Sequence, residues 1–259
     1  MKNLSKVTFL GTGTSQGVPV IACSCEVCLS ENISDKRLRS SVMLTSTDGK
    51  NIVIDTGPDF RQQMLANNVQ NLEAVVYTHE HKDHIAGMDD IRAFNFIQQR
   101  HMDLYCNSDV VEALNREFPY VFAEYKYPGV PEVRINDIKE GSRFTVANMG
   151  FNAIEVMHYK LPVLAFRVDD FAYVTDANFI SEENKKKLRG LDVLVLNALR
   201  REKHISHFTL DEAIALVNEL KPKHTYLTHI SHQLGTHDDV TQELPSHISL
   251  ASDGLQISL

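Results

Sequence analysis

No run of apolar residues in this 259-residue sequence approaches the ~20 needed to cross a bilayer, so a membrane-spanning segment is not expected. Met1 to Lys6 has no apolar stretch of the kind that forms a secretory leader, which points to the cytoplasm. Basic charge is also in short supply: 26 Lys and Arg stand against 34 Asp and Glu, a formal net charge of −8. Nucleic-acid backbones are gripped by clustered Lys and Arg, so a general affinity for them is not expected, a small local basic patch aside. Linkers, low-complexity stretches and sequence repeats are missing too, and the proline- and glycine-bearing segment Tyr125–Glu132 reads as a loop inside a domain. With 43% hydrophobic and 23% charged residues, the expectation is one globular domain over residues 1–259.

What is present is an alternation of short β-rich runs and helical stretches. Strands are expected at Val7–Leu10, Val42–Thr45, Ile52–Asp55, Ala74–Thr78, Asp103–Cys106, Phe151–Val156, Leu164–Val168, Phe171–Thr175, Val193–Leu196 and Thr225–Thr228. The unbroken apolar run Val193-Leu194-Val195-Leu196 suits a strand covered on both faces. Helices are expected at Asp59–Asn67, Ala86–Gln99, Asp109–Phe118, Glu182–Arg189 and Leu210–Leu220. In the last, Ala213, Leu216, Val217 and Leu220 recur at helical spacing, Thr209 suits the N-cap and Pro222 marks the stop. The whole reads as α/β, with sheets layered against helices.

The chemistry concentrates in Thr78-His79-Glu80-His81-Lys82-Asp83-His84, directly after an expected strand. Three imidazoles and a carboxylate within six residues suit borderline metals such as zinc or manganese. Three further candidates sit at or just past the carboxyl ends of strands: His158, Asp176 and His229. Taken singly, His158 also reads as a loop histidine and Asp176 as a turn residue. Their shared placement on strand ends, where one rim could gather them, makes them candidate ligands.

This pattern resembles the metallo-β-lactamase superfamily, whose signature is His-x-His-x-Asp-His, and the resemblance covers nearly the whole chain. It implies an αββα sandwich of two mixed β-sheets flanked by helices, with two divalent ions, Zn or Mn, at the catalytic site. His79, His81 and His158 would hold one ion, Asp83, His84 and His229 the other, and Asp176 would bridge them. Asp55, in Ile54-Asp55-Thr56-Gly57, matches the Asp-x-Gly of an earlier strand and would orient the ligand loop; capping the turn before Pro58 is its plainer alternative.

Leu10-Gly11-Thr12-Gly13-Thr14-Ser15-Gln16-Gly17-Val18-Pro19, the following cysteines, and Leu227-Thr228-His229-Ile230-Ser231-His232-Gln233 look like the phosphoribosyl cyclic phosphodiesterase family of the carbon–phosphorus lyase pathway. A dinucleotide loop at Gly11-x-Gly13 is rejected, since such a loop opens a helix and here Pro19 and cysteines follow. The resemblance implies hydrolysis of a small cyclic phosphate diester, phosphoribosyl or nucleoside, by a hydroxide held between the two metals. Asp83 would both bind metal and orient the nucleophile, and His207 would protonate the leaving group. His207 also lies near the start of an expected helix, where free N–H groups favour anions; a surface position in the run Arg200–His207 is the alternative.

Cys23, Cys25 and Cys28 supply three thiols of a tetrahedral zinc site. His232 is a better fourth ligand than Cys106, because one short loop could send His229 to the catalytic pair and His232 to the cysteines. A disulfide would be strained between Cys23 and Cys25 and out of place in a reducing compartment; free thiols are the other alternative. The expected partner is a small-molecule phosphate ester, with no membrane, nucleic acid unexpected, and self-association as a homodimer compatible with the sequence. A glyoxalase-type thioester hydrolase and a non-hydrolytic relative resembling pyrroloquinoline quinone biosynthesis protein B are the rival readings. Against tRNA 3′-processing stands the absence of a basic arm, and against a β-lactamase the absence of an export signal.

Overall fold

The computed structural model describes residues 2–259. Two seven-stranded sheets lie face to face. The first comprises β1 (Leu4–Gly11), β2 (Ser41–Ser46), β3 (Asn51–Ile54), β4 (Ala74–Val76), β5 (Met102–Cys106) and β6 (Val133–Asp137), with β14 (Gln256–Ser258) on the outer side of β1. The second runs from β7 (Arg143–Val146) through β8 (Met149–His158), β9 (Leu161–Val168), β10 (Phe171–Val174), β11 (Val193–Asn197) and β12 (His224–Thr228) to β13 (Ile248–Leu250).

Each sheet is antiparallel on one side and parallel on the other, and the change comes at β3 in the first and at β10 in the second. Parallel strands bring their carboxyl ends to the same edge, which is where several side chains can converge.

Side-chain alternation sorts the core into three layers. Ile52 and Ile54 of β3, Phe171 and Tyr173 of β10 and Val195 of β11 meet between the sheets. Their neighbours point the other way: Ala172, Val174 and Leu196 pack on Leu210, Ala213 and Val217, while Val53 and Val75 pack on Phe60, Met64 and Val110. This period of two, apolar on both faces, is what buried parallel strands require. The result is the four-layer αββα sandwich, as the sequence led us to expect.

The helix Leu210–Leu220 starts on a full capping box. The Thr209 hydroxyl accepts from the Glu212 N–H (3.2 Å), and the Glu212 carboxylate accepts from the Thr209 N–H (2.9 Å). The expected helix Ala86–Gln99 is corrected. Gly87 turns the chain, its N–H donates to the Thr56 carbonyl (2.8 Å), and a 3₁₀ turn at Met88–Ile91 precedes a shorter helix, Arg92–Gln98. The strands β6, β7, β13 and β14 and the helix His237–Glu243 are not expected from the sequence, the strands being only three to five residues long and the helix largely polar. No helix among the described residues is long and apolar enough to cross a membrane.

Candidate metal centre

The carboxyl ends of β3, β4, β8, β10 and β12 deliver Asp55, the 79–84 loop, His158, Asp176 and His229 to one place. At three of these ends the backbone turns through the left-handed region: Asp55 (φ 67°), Asp176 (φ 53°) and His229 (φ 56°). Side chains seldom adopt that conformation, and strained positions of this kind cluster at functional sites. Donor atoms of Asp83, His84, Asp176 and His229 lie within 4.8 Å of one another, as do those of His79, His81 and Asp176. Asp176 belongs to both groups. His158 groups with Asp176 and His207, and its ring centroid is 5.1 Å from that of His81 and 5.8 Å from that of His79.

Hydrogen bonds fix which ring nitrogen carries the proton. Asp55 accepts from the Thr78 N–H (2.9 Å), the Thr78 hydroxyl (2.8 Å) and His84 Nδ1–H (2.7 Å). With its own proton committed to Asp55, the Thr78 hydroxyl can only accept from His79 Nδ1–H (2.9 Å). His158 Nδ1–H donates to the Ser206 carbonyl (2.8 Å). His79, His84 and His158 therefore each turn Nε2 inward, where the neutral ring offers a lone pair. Thr14 meets His229 at Nε2 (3.2 Å), leaving its Nδ1 3.0 Å from Asp176.

The Asp55-Thr56-Gly57 turn is zipped to the 79–84 loop. The Thr56 N–H donates to the His84 carbonyl (2.8 Å), and a methyl on Gly57 would overlap the Asp83 carbonyl oxygen. This contact accounts for glycine at that position.

The electrostatics call for a cation. His84 Nε2 has no hydrogen-bond partner, yet it faces Asp83 at 3.2 Å and Asp176 at 3.5 Å. Burial alone would lower the His84 pKa, but Asp83, Asp176 and Asp55 raise it well above the usual imidazole range. Burial works against Asp176 in the same way, and His229 and His84 hold it well below the carboxylate range. Burial, followed by His84, pushes His79 well down. Three carboxylates gathered with little water cost several kcal/mol per charge unless positive charge compensates them. Inward lone pairs and surplus negative charge fit a metal centre. His207, over this cluster, is pushed down to about 3 by burial and then by His229, so it is neutral at pH 7.

A second cluster stands apart. His232 Nδ1 lies 3.3 Å from the sulfurs of Cys23 and Cys25 and 3.5 Å from that of Cys28. The Cys28 N–H and then His232 pull the Cys25 thiol down to about 6, whereas burial pushes Cys28 up to about 11. All four cysteines are unpaired, and Cys106 sits in a different core, against the helices of the first sheet.

Sequence reasoning overlooked Thr14, the Ser206 carbonyl and His204. The His204 ring lies 5.1 Å from His207. The His-x-x-His spacing 204–207 was the available signal for it; a backbone carbonyl leaves none.

Residues 50–230, more than half of the chain, match the beta-lactamase superfamily domain. The crystal structure of a diphosphatase from the PhnP family is 39% identical, with a TM-score of 0.93, covering 100% of this chain and 98% of that one. The chain belongs to the metallo-β-lactamase superfamily, in the PhnP family. Zn²⁺-bound PqqB from Methylobacterium extorquens shares the superfamily fold at 18% identity and a TM-score of 0.79, over 98% of this chain and 100% of that one. An octanoyltransferase of Porphyromonas gingivalis is 37% identical over 248 residues, 95% of this chain and 50% of that protein. The chain thus spans about half the length of this curated superfamily relative.

Proposed function

We propose that this chain is a cytoplasmic, metal-dependent phosphodiesterase that opens a small cyclic phosphate diester, phosphoribosyl or nucleoside, to a monoester. It would act as one domain over residues 1–259. His79, His81 and His158 would hold one ion, Asp83, His84 and His229 a second, and Asp176 would serve both; such nitrogen and oxygen donors accept zinc or manganese. Bound there, the ions supply Lewis-acid stabilisation of phosphoryl oxygens and bring the pKa of water towards ~7.

Hydrolysis forms one P–O bond to the water oxygen, breaks the P–O bond to the departing oxygen, and moves one proton from the first to the second. Asp83, held anionic beside His84, accepts a hydrogen bond from the incoming water and aims it. His207 serves the other end. It is neutral in the free protein, and an arriving phosphate anion favours its charged form, so it gains its proton as substrate binds and gives it to the leaving oxygen.

The observation that carries this reading is the position of His207. Its ring lies 4.5 Å from that of His158 and 4.8 Å from that of His229, nearly parallel to the latter. A glyoxalase-type thioester hydrolase shares the ligand set, whereas this extra imidazole suits a phosphate. The PhnP-family relative, a diphosphatase, supports chemistry at phosphorus. The octanoyltransferase name belongs to a protein half of which lies beyond the match. A further zinc on Cys23, Cys25, Cys28 and His232 would be structural, since four protein ligands leave no place for substrate.

The test is a substrate panel with Mn²⁺- or Zn²⁺-loaded protein: bis(p-nitrophenyl) phosphate, cyclic phosphoribose, cyclic nucleotides, thioesters and β-lactams. Phosphodiester cleavage that Asp83→Ala abolishes is the expected result. Cleavage of thioesters without any phosphodiester would overturn the proposal.

A further inference from the structure

A cavity opens beside the donor cluster. Its lining includes His81 and His158 from the donor cluster, one wall that carries Tyr159 and Lys160, and a second that carries Ile205 and Ser206. The first wall is the tight turn between β8 and β9; the second belongs to the loop that leads to His207. One side chain holds the two together. Asn178 Oδ1 accepts from the Tyr159 N–H (2.7 Å), and Asn178 Nδ2 donates to the Ile205 carbonyl (3.1 Å).

The composition of these walls is not what an idle rim requires. Tyr159 occupies the left-handed region at φ 59°, where asparagine or glycine would sit without strain. Tyr159 is 50% exposed, and Ile205, which lines the same cavity, is 63% exposed. Two exposed apolar side chains lining one cavity beside polar histidines gain from a flat apolar guest that covers both. Lys160 Nζ lies 5.3 Å from the Tyr159 ring centroid, and among the described residues no carboxylate pairs with it. In a chain of net charge −8, an unpaired ammonium beside an anion-handling centre attracts negative charge.

We infer that the Tyr159–Lys160 turn and Ile205 form the subsite for the part of the cyclic diester that keeps the departing oxygen, selecting a nucleoside with a planar base and a second phosphate of its own, as in a nucleoside monophosphate that also bears the cyclic phosphate. The assignment to the leaving group rests on the phosphodiesterase reading: His207 follows the Ser206 wall and packs on His158, so the departing oxygen lies on this side. A bare sugar phosphate would leave Tyr159 and Ile205 uncovered.

Calorimetry on metal-loaded protein tests this with three probes. AMP carries both features, adenosine only the plane and ribose 5-phosphate only the charge. AMP should bind about tenfold more tightly than either. Tyr159→Asn, which suits the left-handed backbone, should weaken AMP and adenosine, while Lys160→Ala should weaken AMP and ribose 5-phosphate, each by about tenfold. Lys160→Arg should restore binding. AMP binding no tighter than ribose 5-phosphate, or both variants binding as the parent does, overturns the subsite. Hydrolysis of bis(p-nitrophenyl) phosphate, followed in parallel, separates the two ideas. Turnover with unchanged affinities sinks the subsite alone. Selective AMP binding without any diester turnover sinks the leaving-group role together with the phosphodiesterase.

Discussion

Asp55 shows how much a residue that faces no substrate can govern. Its carboxylate is fully buried, and burial raises its pKa against the pull of His84, yet its three hydrogen bonds run to Thr78 and His84, at the two ends of the histidine-rich segment. Asp55→Asn should offer an N–H where His84 needs an acceptor, freeing the imidazole to change tautomer. We expect metal affinity to fall by about 10–100-fold, read as metal retained during dialysis against a chelator, with the fold intact by circular dichroism. Affinity equal to that of the parent would confine Asp55 to capping its turn. His207 yields a prediction about pH. Its folded pKa of about 3 lies below the ~6.5 of an unfolded histidine, so the unfolded chain takes up a proton first as pH falls. The stability present above pH ~6.5 is therefore lost on the way down to about 3, by at most about 1.4 kcal/mol per pH unit for this one group. In metal-free protein, His207→Gln should flatten the decline of the urea midpoint between pH 6.5 and 4. A slope equal to that of the parent would show that His207 does not stay neutral in the fold.

At the scale of elements, the centre depends on two turns pressed against each other. Gly57 lies on the Asp83 carbonyl, and Gly87 in turn lies on the Gly57 carbonyl, so neither has room for a side chain. Gly57→Ala should push the Lys82–Ile85 turn away from its place. We expect lower metal affinity together with a loss of about 1–3 kcal/mol in stability, measured by chelator competition and by denaturant unfolding. A variant that keeps both would mean that the turns give way easily. The same elements show what the sequence could and could not reveal. His79, His81, Asp83 and His84 are legible because four donors fall within six residues. Asp176 and His229 are legible only through their placement after strands rich in β-formers. The strands β6 and β7 escape notice because they alternate over only 5 and 4 residues, and the break at Gly87 escapes because it is made by the Thr56 carbonyl, remote in sequence. The walls of the cavity are invisible for the same reason: Asn178 joins segments that have no pattern in common.

Over the whole molecule, the amino-terminal segment is fastened by the carboxyl-terminal one. His232 meets the cysteine loop, β14 pairs with β1, and buried Arg37 donates to the Ala251 carbonyl (2.6 Å) and to the Thr12 hydroxyl (2.8 Å). Asp253 accepts from the Thr12 hydroxyl (2.7 Å) and the Leu38 N–H (2.6 Å), and the His237 N–H donates to Asp35 (2.7 Å). Cys25→Ser and His232→Ala should each remove one tightly held zinc per chain and lower Tm by about 5–10 °C, with activity falling as well. Metal analysis and thermal scanning check this, and an unchanged Tm with unchanged zinc would dismiss the structural ion. The fastening also sets an order of events during translation. A ribosome releases the cysteine loop and β1 long before His229, His232 and β14 exist. The nascent chain therefore carries three thiols without their histidine and one open side of β1 until these later residues emerge, and an open strand edge of that kind invites pairing with another chain.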